Sequence, residues 1–151
     1  MRIELYGSEK LNFVEFNTTG DNDNYESIDS ESKFLDSEVF NIFISCFENS
    51  NKLFDYFGPT KYNSRRIIPL KNELTVHLER LQCINNIDDF LSFIGDIFLG
   101  NNFILSLENI DKSWKDNWKF YVDKLIKVNQ ELIELIDLCV EQERILWVKG
   151  Y

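Results

Sequence analysis

Apolar residues recur along this chain with two periods. Near the start, Ile3 and Leu5, then Leu11, Phe13 and Phe16, alternate with polar neighbours, and Gly7-Ser8-Glu9-Lys10 lies between the two runs. Alternation around a short polar turn predicts a β-hairpin from residues 2–6 and 11–16. Residues 17–33 lose the alternation and become polar and acidic, which predicts a long loop. From Asp36 or Ser37, either of which is a good N-cap, the period lengthens. Val39, Phe40, Phe43, Ile44, Phe47, Phe54 and Phe57 suit the wide buried face of a helix that Gly58-Pro59 must stop, with Asn49-Ser50-Asn51 as a bend or break.

Residues 60–68 read as a connector, extended at Ile67-Ile68. Pro69 fits the first turn of a second helix, whose Leu70, Leu74, Leu78 and Leu81 fall on one side. Thr75 and Val76 also allow a strand over 70–81. A third helix is expected from Ile87 to Leu99, capped by Asn86 or Asp88 and closed by Gly100, with Phe103-Ile104-Leu105 as a short apolar link. The longest pattern runs from Ile110 to Glu143. Trp114, Trp118, Tyr121, Leu125, Val128, Leu132, Leu135 and Cys139 step by four and three, an a/d seam. At 1.5 Å per residue such a helix is about 45 Å long, and it is too apolar to stand in water uncovered. The final Ile145-Leu146-Trp147-Val148 run has the content of a strand that joins the N-terminal hairpin, since a lone hairpin is marginal. The predicted class is therefore α+β and predominantly α-helical. It has about four helices, one of them long and C-terminal, and a small antiparallel sheet, all in one domain over 1–151.

Composition supports a packed core: 44% of the 151 residues are hydrophobic and 15% are aromatic, including 13 Phe. A formal charge of −10 argues against nucleic acid or an anionic membrane as partner, because both need a basic footprint. No run reaches the length of a membrane span, and the first residues lack the features of a signal peptide, so a cytoplasmic protein is expected. Cys46, Cys83 and Cys139 are odd in number and set among apolar residues, which predicts buried free thiols. The abundance of Asn, Ile, Lys and Phe is the composition of an AT-rich bacterial genome.

Candidate chemistry is sparse. The chain has one histidine, His77, within an apolar helical pattern, so multi-histidine metal sites are excluded and a structural role is expected. There is no phosphate-binding glycine loop and no CxxC pair. Asp21, Asp23 and Asp29 match three ligand positions of a calcium loop, but Glu26 stands where glycine is needed and Ser32 where a bidentate Glu is needed. No metal and no cofactor are expected. Trp114 and Trp118 read as core.

Charge carries the remaining signal. One acidic cluster spans residues 21–38, with Asp21, Asp23, Glu26, Asp29 and Glu31 at its centre. The other is a stripe on the long helix, Glu131, Glu134, Asp137 and Glu141, spaced three or four apart. Lys61, Arg65, Arg66, Lys71 and Arg80 supply a basic middle that can neutralise one cluster within the fold. Otherwise an acidic face is displayed to a basic protein partner. The long helix also has a lysine-rich first half and an acidic second half, so two antiparallel copies would complement each other as a homodimer. A small, acidic, aromatic-rich bacterial chain without catalytic motifs resembles, in type, the immunity proteins that neutralise toxins, often basic nucleases. That resemblance implies a non-catalytic inhibitor that occludes its partner through the carboxylates above. The alternatives are a structural or adaptor domain acting as a homodimer or complex subunit, and, more distantly, a small carboxylate-dependent hydrolase.

Overall fold

The computed structural model describes residues 1–7 and 12–151. Four strands form one antiparallel sheet: β1 (Phe13–Asn17), β2 (Lys33–Asp36), β3 (Thr60–Tyr62) and β4 (Leu146–Gly150), in the order β2-β1-β4-β3. The C-terminal run does form a strand, and it is an inner one: Phe16 pairs with Val148 and Glu15 with Lys149. The predicted hairpin differs. β2 takes the edge of β1 that residues 2–6 were expected to occupy, and those residues meet β2 on its far side, through a bridge between Tyr6 and Phe34. Leu11 and most of the predicted turn lie outside the described residues.

Among the described residues, six helices share one core with this sheet: α1 (Ser37–Phe40), α2 (Ile44–Ser50), α3 (Ile67–Gln82), α4 (Ile87–Gly95), α5 (Gly100–Ile110) and α6 (Trp118–Glu141). The first predicted helix is broken twice. It turns at Asn41–Phe43, and it stops at Ser50, whose hydroxyl donates back to the Cys46 and Phe47 carbonyls. Asp36 does not cap α1 with its side chain; its carboxylate instead accepts from the Arg2 amide and the Tyr6 hydroxyl. Residues 70–81 are helical, and Ile67-Ile68 open α3 where an extended segment was expected. Asn86 caps α4 by accepting from the Asp89 amide, 2.8 Å away. The predicted apolar link at 103–105 is instead the middle of α5, because Phe103 and Leu107, four apart, both enter the core. Leu99 takes the left-handed turn between α4 and α5 at φ 63°, leaving Gly100 where an added Cβ would lie 2.3 Å from the Ile94 carbonyl oxygen.

The seam expected on the long helix is real but begins later. Asp111 caps a set of turns, accepting from the Ser113 amide, Asn117 Nδ2 and the Tyr121 hydroxyl. Those bonds, Asn117 first, hold its carboxyl below the usual range. Trp114 is buried edge-on to Phe90 before α6 starts. Tyr121, Leu125, Val128, Leu132 and Cys139 are buried as predicted, and α3 and α4 pack against this helix within the same chain. The seam is thus covered without a second copy. Among the described residues, no helix is long and apolar enough to cross a membrane. Cys46 and Cys139 are buried free thiols, whereas Cys83, just past the end of α3, is exposed.

The core joins both layers. Val14 and Phe16 of the sheet meet Phe40 and Phe47, and Tyr62 stands edge-on to Phe47 while donating to its carbonyl. His77 lies in the buried stripe of α3, between the rings of Phe43 and Phe93, while Leu78 is half-buried. Burial, helped by the Arg80 charge, lowers the His77 pKa from 6.5 to about 4. A histidine held neutral in the fold but free to charge when unfolded stabilises fully above about pH 6.5. That contribution, about 3 kcal/mol, is lost as the pH falls toward 4. Urea titrations of wild type and His77→Phe across pH 7.5 to 4 should therefore diverge by about this amount; parallel pH profiles would show that His77 charges as freely in the fold as outside it.

Candidate functional site

The face of β1 opposite the core-facing Val14 and Phe16 is the second face of the sheet. It is covered by the loop of residues 18–32, and a buried carboxylate holds that loop in place. Glu15, in the middle of β1, is 0% exposed. Its Oε1 accepts from the Ile28 amide and the Ser32 hydroxyl, both at 2.7 Å, and its Oε2 accepts from the Tyr25 and Tyr151 hydroxyls. Its cross-strand neighbour Lys149 sits over the Tyr25 and Tyr151 rings, a cation–π contact with both of the tyrosines that donate to Glu15. Burial and the bond to Glu15 keep the Tyr25 hydroxyl above its ordinary range and therefore protonated. At the end of β1, Asn17 accepts from the Thr19 and Gly20 amides and donates to Asp29. Gly20 is required here: an added Cβ would lie 2.8 Å from the Trp147 ring, whose Nε1 donates to the Asp21 carbonyl.

Anchored this way, the loop meets the turn from α6 into β4. Glu143 makes that turn at φ 53°, and the Arg144 amide closes it on the Cys139 carbonyl at 2.8 Å, the pattern of a helix end that normally uses glycine. The Arg144 guanidinium then pairs with Glu31 at 2.8 Å, tying the loop to the helix end. Two grooves open on this junction and share Asn22, Glu143, Arg144 and Ile145. The larger, about 630 Å³, has an apolar wall from Ile67, Ile68, Val140 and Ile145; the smaller, about 430 Å³, adds Asp21 and Glu31. Asp21, Glu31 and Glu143 therefore line the smaller groove with Arg144, and the apolar wall lies in the adjoining one. Hydrogen bonds from the Asn24 side chain and the Asp23 and Asn24 amides hold the Asp21 carboxyl below its usual range. Burial pushes the Cys139 thiol, at the groove wall, up to about 11, so it stays protonated at neutral pH and is not a nucleophile there.

The structure distributes the sequence candidates unevenly. Asp21 and Glu31 line the junction, and Asp23 and Glu26 stand exposed on the same loop. Asp29 turns inward: burial opposes its charge, but bonds from Thr19, the Glu31 amide, Asn17 and the Ser32 amide outweigh it and hold its carboxyl low. The α6 stripe divides. Glu131 and Glu134 border a separate cleft with Leu5, Lys33 and Leu138, while Glu131 also faces Lys127 at 3.8 Å. Asp137 pairs with Lys71, and this is where the basic middle neutralises part of the stripe; Glu141 is exposed. Asp21, Asp23 and Asp29 do not converge as a calcium loop would require. Among the described residues, no three acidic, histidine or cysteine side chains are grouped to hold a metal ion.

Glu15, Glu143 and Arg144 were not singled out from sequence. Glu15 could have been: a charge inside the run Phe13-Val14-Glu15-Phe16 either faces water or is bonded, and here both faces of β1 are covered. Two measurements probe the site's construction. Glu15→Leu strands four donors in a buried setting and should cost about 3 kcal/mol or more, with faster proteolysis confined at first to residues 18–32. Glu143→Gly relieves a left-handed non-glycine residue and should raise stability by up to about 1 kcal/mol in thermal melts; a lower melting point would mean that the Glu143 side chain itself holds the turn.

Compared with family models, curated proteins and solved structures, the chain has no significant match among any of the three.

Proposed function

We propose that this protein is a non-catalytic binding domain that uses the acidic junction between the 18–32 loop and the end of α6 to occlude a basic protein partner, in the way an immunity protein occludes a toxin. The observation that carries this reading is the meeting of two adjoining grooves at Glu143 and Arg144, one bordered by Asp21 and Glu31 and the other walled by Ile67, Ile68, Val140 and Ile145. Carboxylates at the rim steer a basic surface and set its orientation. Apolar side chains of the adjoining wall supply anchors: Ile68 is 45% exposed and Val140 46%.

A second feature supports the reading. Glu143 occupies a left-handed position that glycine fills at lower cost, so the protein carries a carboxylate at the groove in spite of the backbone strain. Asp23 and Glu26 on the loop and Glu141 on the last turn of α6, all exposed, add negative charge on either side. Three thiols and no disulfide among the described residues fit action in a reducing compartment such as the cytoplasm.

The test begins with the tagged protein as bait in lysate of the organism it comes from, and continues with kinetics on the partner recovered. Association should slow about tenfold or more as salt rises from about 50 to 300 mM. Asp21→Lys with Glu143→Lys should slow it comparably at low salt while leaving the melting temperature near that of wild type. Reversal of Glu131, on the separate cleft, should do much less. On-rates indifferent to salt, or a double variant that binds normally, would refute the acidic-groove reading.

A further inference from the structure

The acidic junction has a neighbour of opposite sign. A groove of about 430 Å³ runs along the edge strand β3, lined by Lys61, Arg65 and Arg66 together with Leu53, Pro59 and Trp147. Arg65 and Arg66 are exposed, and no carboxylate among the described residues pairs with either. In a chain of net charge −10, this is a concentrated positive surface with no carboxylate paired to it among the described residues. Leu53 beside it is 81% exposed.

The basic and acidic grooves are contiguous. Asn63 lines both, and Lys61 Nζ donates to the Asn22 carbonyl at 2.7 Å, Asn22 being a wall of the acidic groove. Trp147 likewise lines the basic groove while its indole donates to the Asp21 carbonyl. The face therefore consists of an acidic half and a basic half that meet at two neutral amides, Asn22 and Asn63. Such a face is self-complementary. A twofold rotation about an axis through its boundary lays each acidic half on the other copy's basic half, which is what an isologous contact requires.

We propose that this face is the twofold interface of a homodimer, in which Arg65 and Arg66 of each copy enter the acidic junction of the other beside Glu31 and Glu143. The occupant is a second copy of this chain, chosen by the juxtaposition of opposite charges on one surface and by the exposed Leu53, Ile68 and Val140 that the contact covers. The α6 seam plays no part, because α3 and α4 already bury it. The dimer stands independently of the toxin-type partner; where both occur, the partner must displace the second copy to reach the groove.

Sedimentation velocity on the full chain from about 1 µM to 1 mM tests this, since association makes the apparent mass depend on concentration. The mass should rise from one chain toward two. Arg65→Glu with Arg66→Glu, and separately Glu31→Lys with Glu143→Lys, should each weaken self-association at least tenfold. An equimolar mixture of the two double variants should restore it, because every acidic half then meets a basic one. Unchanged circular dichroism melts establish that both variants fold. A chain that stays monomeric throughout, a dimer indifferent to both pairs of reversals, or variants that fail to rescue each other would each overturn the proposal. None of these outcomes bears on salt-dependent capture of a heterologous partner, so the two readings fail separately.

Discussion

The order of the acidic face depends on one buried carboxylate. Glu15 is sealed between the sheet and the 18–32 loop, and each donor it binds comes from a segment that would otherwise be free to leave: the Tyr25 hydroxyl, the Ile28 amide and the Ser32 hydroxyl from the loop, and the Tyr151 hydroxyl from the chain end. A buried carboxylate without donors is costly, and one with four is a clamp, because losing any donor exposes the rest to an unmet charge. The loop has little apolar content of its own. Its order comes from this polar network and from the Trp147 indole, and the positions of Asp21, Asn22 and Glu31 at the groove follow from that order.

The helical layer supplies the other wall by a different kind of force. The seam of α6 is buried by α3 and α4, so the end of α6 is fixed in space by packing before any charge is considered. Ile67 and Ile68 at the start of α3 then face Cys139 and Val140 at the end of α6 across the groove. Arg144 bridges the packed layer and the polar loop through Glu31. This pair is part-exposed, and its worth lies in setting the position of the two acidic segments more than in stability. Three buried polar groups in the helices, His77 Nε2, the Asn129 amide and Glu131 Oε2, lack partners among the described residues. They are the places where the helical layer falls short of full polar satisfaction, and they lie away from the groove.

The helical periods of α3 and α6, the Asn86 cap and the C-terminal strand were all legible in the sequence. Each is set by local spacing: apolar residues three and four apart, an amide oxygen before a helix, a β-branched and aromatic run. α5 was missed because Phe103-Ile104-Leu105 looks continuous when read as three residues. Its periodicity appears only once Phe103 and Leu107 are seen to share a buried face. The strand pairing was misread because alternation specifies that a segment is extended without saying which segment lies beside it. From sequence β1 had two candidate neighbours, residues 2–6 and the C-terminal run; long-range packing kept the second and put β2, read as loop and helix start, in place of the first.

The same limit applies to the site. Sequence alone determined that the chain is acidic, that its carboxylates gather in two segments, and that the helices must cover one another. Those properties follow from residue identity and from spacing within a few turns. Only the tertiary structure decided that the loop cluster meets the end of α6, while Glu131 and Glu134 border a different cleft and Asp29 turns inward. It also decided that Lys61, Arg65 and Arg66 border the acidic groove instead of neutralising it. The physical reason is that charges act over distances in space. Residues 21, 31 and 143 become neighbours only after Glu15 has fixed the loop and the core has fixed the helix.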